Sequence, residues 1–185
     1  MNYFEWLGDL EAIDIRFPEM HFNGWWMVEC LPVIGWRGDV LATYSPDDAL
    51  AVSFGLSDNG WPVFSPRMRD FLDDAAPGLV QFLPFRLQRR DGSGEAFGYC
   101  VGQILRLVDC LDRKRTRVRK NWQPINERGD FGAYRPFVLD RSLAENERLF
   151  RLKGNRRSIV VRDDLKTAIE QAGFDGQRFD LLETS

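Results

Sequence analysis

Asp109 and Asp112 are the residues best placed to do chemistry in this chain. They flank Cys110 and Leu111. Carboxylates at that separation can divide acid and base roles, or hold Mg²⁺ in a hydrolase. The same pair can close a turn by accepting backbone N–H bonds, or meet nearby arginines. The turn reading is favoured because no further acidic ligand pattern surrounds them. Metal-dependent hydrolysis through Asp109 and Asp112 stays open as an alternative.

His21 is the only histidine, so any Ser-His-Asp or Cys-His site would have to use it. No nucleophile motif accompanies it, and a structural or solvated role is expected. Cys30, Cys100 and Cys110 are odd in number and sparse. They do not form a disulfide framework and suit reduced thiols in the cytosol. Cys100 and Cys110 fall ten residues apart in what reads as one extended run. A continuous strand would separate them by roughly 30 Å, too far to share a metal. Each reads as a small buried hydrophobe. There is no Walker loop or dinucleotide fingerprint, and Gly92-Ser93-Gly94 is a turn with no helix after it. No catalytic residue, metal or cofactor is expected.

Arg113-Lys114-Arg115-Thr116-Arg117-Val118-Arg119-Lys120 places six cations in eight residues, with Trp122 beside them. Such a run could bind nucleic-acid phosphates and stack on a base, so an RNA-binding module stays open. The acidic pI near 5.3 argues for a solvated loop, or for an internal partner to acidic residues elsewhere. The net negative charge lies in the first half. Residues 1–85 hold four basic and thirteen acidic side chains, and the remainder of the chain is net positive. This asymmetry could steer a charged partner, or simply let the halves attract within the fold.

The elements that must carry these residues read as α+β: an antiparallel or mixed sheet with hairpins and a few short helices packed on it. The length of 185 residues and the 14 Phe and 6 Trp suit one domain over 1–185 with a sizeable core. No apolar run reaches the roughly 20 residues of a membrane span. The N-terminus lacks signal-peptide character, which fits a cytoplasmic protein. Trp25 to Cys30, Val40 to Tyr44 and Ala51 to Phe54 read as strands. Ser65 and Pro66 open a helix whose apolar stripe is Met68, Phe71, Leu72 and Ala75, ended by Pro77-Gly78. Leu79 to Gln88 reads as a strand that Pro84 assigns to an edge or a bulge. It pairs through the Asp91–Gly94 turn with a long strand, Phe97 to Asp109, apolar on both faces. Residues 113–136 read as a polar excursion, and Phe137 to Leu139 as a short strand. Ser142 and Glu145 have capping-box spacing for a brief helical turn. Phe150 to Lys153 and Ser158 to Val161 form a hairpin around Gly154-Asn155. A closing helix is capped by Asp163 or Asp164, carries Leu165, Ala168, Ile169 and Ala172 as its stripe, and stops at Gly173. Phe174 then tucks into the core.

Four stretches resemble a known family. They are Val63-Phe64-Ser65, Gln81-Phe82-Leu83-Pro84, the run from Tyr99 through Val108-Asp109-Cys110-Leu111-Asp112, and the block from Leu149-Phe150-Arg151 to Phe179. Together they resemble immunity family eleven of bacterial polymorphic toxin systems over roughly residues 60–180; residues 1–60 match loosely. The resemblance implies an α+β immunity protein, without catalytic residues, that binds and neutralises a cognate toxin. The Arg113–Lys120 loop departs from the commoner family pattern. Given such a partner, the acidic half suggests that Asp70, Asp73 and Asp74 on the Ser65–Ala75 helix meet a basic toxin surface; a solvated helix face is the plain alternative.

Overall fold

The computed structural model describes residues 1–8, 14–18, 27–45, 53–57, 60–118, 123–124, 126–127, 129–130 and 137–185. The chain runs through β1 (Tyr3–Gly8), β2 (Ile15–Arg16), β3 (Leu41–Tyr44), β4 (Phe54–Leu56), β5 (Pro62–Phe64) and helix α1 (Pro66–Ala75). Next come β6 (Val80–Pro84), β7 (Arg86–Arg89), β8 (Glu95–Ala96), β9 (Cys100–Ile104), β10 (Leu107–Val108), β11 (Val138–Leu139) and the short helix α2 (Arg141–Ala144). β12 (Leu149–Leu152), β13 (Asn155–Arg162), α3 (Asp163–Gln171) and β14 (Gln177–Thr184) follow. The fold is α+β, with mixed and antiparallel sheets and short helices. No helix among the described residues is long and apolar enough to cross a membrane.

Three sheets are present, ordered β10-β12-β13-β1-β14-β11, β2-β3-β7-β8 and β4-β5-β9-β6. In the largest, β1 is interior and antiparallel to both neighbours, with Phe4 opposite Val161 on one side and Leu181 on the other. Both faces of this sheet are covered. Trp6, Ile159, Val161 and Leu149 join Phe54, Phe64, Met68, Leu72, Ile104, Leu165 and Ile169 in one core, which places α1, α3 and the β4-β5-β9-β6 sheet on that side. Tyr3, Phe150, Val160 and Leu182 face Val108, Cys110, Phe137, Leu139 and Ala144 in another. A third core fills the space between the β2-β3-β7-β8 sheet and the outer face of β5 and β9.

α1 forms where its cap and stripe predict. Ser65 Oγ accepts from the Met68 N–H at 3.3 Å, Pro66 opens the helix, and Met68 and Leu72 are buried. α3 carries the expected stripe, with Leu165 and Ile169 buried, and Gly173 adopts the left-handed φ of 68°. Its cap differs from expectation. Arg162 holds the N-cap position with no side-chain cap bond, while the Asp163 carboxylate accepts from the Asp164 and Asn2 N–H groups. α2 differs too: Asp140, not Ser142, caps it, accepting from the Ser142 N–H and hydroxyl. An aspartate two positions earlier accepts from the first free N–H groups of the helix.

Both long strands divide. Leu79 to Gln88 becomes β6 and β7 in different sheets, with the break at Pro84-Phe85. Pro84 cannot donate to a ladder, and β6 is an edge strand, as its proline requires. Phe97 to Asp109 becomes β9 and β10, also in different sheets. The Leu105 N–H turns back to Leu79 O, and the Arg106 carbonyl leaves to accept from Arg151 N–H. The expected hairpin persists across the divide, with β6 on β9 and β7 on β8 both antiparallel. The β12–β13 hairpin is present, with a register shift after Arg151. In the expected strand Trp25 to Cys30, Trp25 and Trp26 lie outside the described residues. Met27 and Val28 instead sit in a tight 3₁₀ turn, and Cys30 takes a φ of 58° that no strand permits.

Candidate functional site

The Asp109/Asp112 segment is built as a turn clamp. Asp109 leaves β10 and its carboxylate pairs with Lys153 Nζ at 3.1 Å and Arg113 Nη2 at 3.4 Å. Asp112 Oδ1 accepts from the Lys114 N–H at 2.8 Å and the Arg115 N–H at 3.1 Å. A hydrogen bond from Ser185, together with those backbone donors, holds the Asp112 carboxyl below its ordinary pKa. A carboxyl so stabilised as an anion is a poor general acid at neutral pH. Among the described residues no three His, Cys, Asp or Glu side chains gather where they could hold a metal ion.

The basic run is tied into the same corner. Arg113 reaches Asp109 and Arg115 reaches Glu183 on β14. Between them Thr116 is buried, its hydroxyl accepting from the Val138 N–H and donating to the Val138 carbonyl, both at 3.0 Å. Lys114 and Arg117 are exposed. Arg119, Lys120 and Trp122 lie outside the described residues, as does His21.

Cys100 and Cys110 are buried in different cores, and Cys30 is buried beneath its turn. Burial pushes their thiols up, Cys30 to about 11 and the other two to about 12. Such thiols are not nucleophiles at neutral pH.

Asp70, Asp73 and Asp74 share the outward face of α1 and are exposed. Arg69 pairs with Asp70 at 2.7 Å. Among the described residues no ion pair or side-chain hydrogen bond engages Asp73 or Asp74. The neighbouring Arg67 turns the other way, donating to the Ala172 carbonyl with its guanidinium 4.6 Å from the Phe174 ring.

One polar residue was not visible as special in the sequence. Arg151, in an alternating stretch of β12, is fully buried. Its Nη1 donates to the Arg156 carbonyl at 2.9 Å and the Arg157 carbonyl at 3.3 Å, while Nε and Nη2 find no acceptor among the described residues. Burial lowers its pKa to about 10. Equally unannounced is the loop from Leu31 to Asp39. Gln81 grips Val33 through both amide atoms, and Gln103 Nε2 donates to the Leu31 carbonyl at 3.0 Å. Glutamines on two apolar strands were the available signal.

These elements define a small α+β protein in whose candidate corner Asp109, Asp112, Arg113 and Arg115 are committed to turns and ion pairs. Residues 37–184 match the sequence model of the immunity protein family Imm11, and the chain belongs to that family. No curated protein matches the sequence.

Proposed function

We propose that this immunity-family chain protects a bacterial cell by binding a cognate toxin domain directly, in the cytoplasm, without catalysis. Family membership over residues 37–184 carries this reading. The engagement of Asp109, Asp112, Arg113 and Arg115 within the fold supports a binding role over hydrolysis or RNA capture. Residues 1–185 act together as one unit, because β1 lies between two strands from the far end of the chain.

The electrostatic contact is placed on α1. Among the described residues no ion pair engages Asp73 or Asp74, and Asp70 pairs with Arg69. Unpaired charge on a rigid helix can steer a basic partner and accelerate its capture. Co-expression with the toxin domain encoded beside this chain should restore growth, and the two purified proteins should form a stable complex. Growth arrest despite soluble expression, with no complex, would refute the reading. Reversing Asp70, Asp73 and Asp74 to lysine should slow association and flatten its salt dependence, with a rate loss of about tenfold or more. Unchanged kinetics at low and high salt would remove α1 from the interface.

A further inference from the structure

The loop Leu31–Asp39 combines two properties that are seldom found together. It is held in place from beneath, and it presents bare apolar side chains above. Val33 is buried, and its N–H and carbonyl are both bonded by the Gln81 amide, at 2.7 and 3.0 Å. Trp36 Nε1 donates to the Pro84 carbonyl at 2.7 Å, and Gln103 holds Leu31. Between these anchors Leu31 is 66% exposed and Ile34 89% exposed. A mobile tip would lose entropy on docking; a tip fixed by three side chains has already lost it. Clustered exposed apolar side chains on such a support are the pattern of a binding anchor.

The surrounding charge selects the occupant. Arg37 pairs with Asp39 at 2.6 Å and Arg86 with Glu95 at 2.7 Å. These charges cancel locally, so the loop offers little attraction to a polyanion or an anionic membrane. Its complement is an uncharged apolar pocket on a folded protein. Leu31 and Ile34 also precede residue 37, where the family match begins. Partner choice can be carried by contacts outside the span a family shares.

We propose that Leu31 and Ile34 are the apolar anchor that inserts into a pocket of the toxin domain and sets which toxin is recognised; this rests on the toxin-binding reading above. Gln81 and Gln103 belong to the opposite face of the β6–β9 pair from the α1 core, so the anchor and the α1 aspartates can be tested separately.

The test uses the full-length chain and a catalytically inactive form of the toxin domain encoded beside it. Leu31→Ser with Ile34→Ser should weaken affinity at least tenfold while leaving the melting temperature and the salt dependence unchanged. Gln81→Ala, which frees the loop but keeps both apolar side chains, should weaken it by a smaller factor. Ile34→Met should bind like the parent. Parental affinity in the double serine variant overturns the proposal, and so does a dimer of the parent chain that the serine pair disrupts without affecting toxin binding. If the parent chain itself does not bind, the toxin-binding reading falls and the anchor falls with it.

Discussion

At the scale of single residues, burial decides more than residue type does. Arg151 sits in Phe150-Arg151-Leu152-Lys153, where alternation suggests that both cations point one way into water. Phe150 and Leu152 do share one face of β12, as alternation requires, but both faces of the sheet are covered, and the guanidinium ends up inside. Lys153 keeps the expected exposure and reaches Asp109. The Asp112 turn was legible because an aspartate caps its own next few residues. The Arg115–Glu183 pair was not, since nothing local links residues so far apart. The three cysteines yield a pH prediction. An unfolded thiol ionises near pH 8.5, whereas these folded ones are held up at about 11 to 12. Their contribution is therefore intact below about pH 8.5 and is lost as pH rises toward the folded values. Between pH 7 and 10 the urea midpoint should fall, with each thiol costing on the order of 1–2 kcal/mol at pH 10. Cys110→Ala should remove its share of that slope; an identical slope would mean that the thiol is not protected. Iodoacetamide at pH 8 should label none of the three until the chain is unfolded.

At the scale of elements, the pieces with local punctuation were legible and the pieces defined by distant neighbours were not. α1 has its serine cap and proline, and the β12–β13 hairpin has its Gly154-Asn155 turn. β9 and β10 read as one long, largely apolar run in the sequence, and only the choice of sheet separates them. β9 holds a glycine for a reason found in space. A Cβ on Gly102 would fall within the ring of Phe64, 2.7 Å from its Cδ2. The Cε2 side of the ring takes the space over the strand where no side chain stands. Gly102→Ala should thus destabilise the protein by about 2–3 kcal/mol, since a packed core cannot yield that space. Gly102→Ala combined with Phe64→Leu should cost less than the two changes summed, in chemical denaturation. Strict additivity would show that the ring and the glycine are not coupled.

At the scale of the whole molecule, the least legible element is the most central. β1 lies outside the family-matched residues, yet it occupies an interior position in the largest sheet. Its Tyr3 and Trp6 are buried in two different cores, and the Trp6 ring stacks on Phe54 at 4.7 Å. Sequence reading passed over it because six residues with apolar side chains on both faces carry no period. Loss of Trp6 alone should cost about 3–5 kcal/mol. Removing residues 1–8 also strips two ladders, and the sum should exceed the roughly 5–15 kcal/mol that holds a domain together. A chain lacking 1–8 should therefore show no cooperative unfolding transition. A sharp transition near the parent's melting temperature would contradict this.

The same strand sets a clock on protection. Tyr3 pairs with Arg162 and Leu182, so β1 must wait until β13 and β14 have been made. At roughly 5–20 residues per second on the ribosome, that wait is roughly 10–40 s. Until then the edges of β13 and β14 that flank β1 stay open, and the main core lacks Trp6. On the proposed toxin-binding role, newly made chains therefore offer a cell no immediate defence. In that role, protection depends on a standing pool of finished molecules, replenished before a toxin arrives.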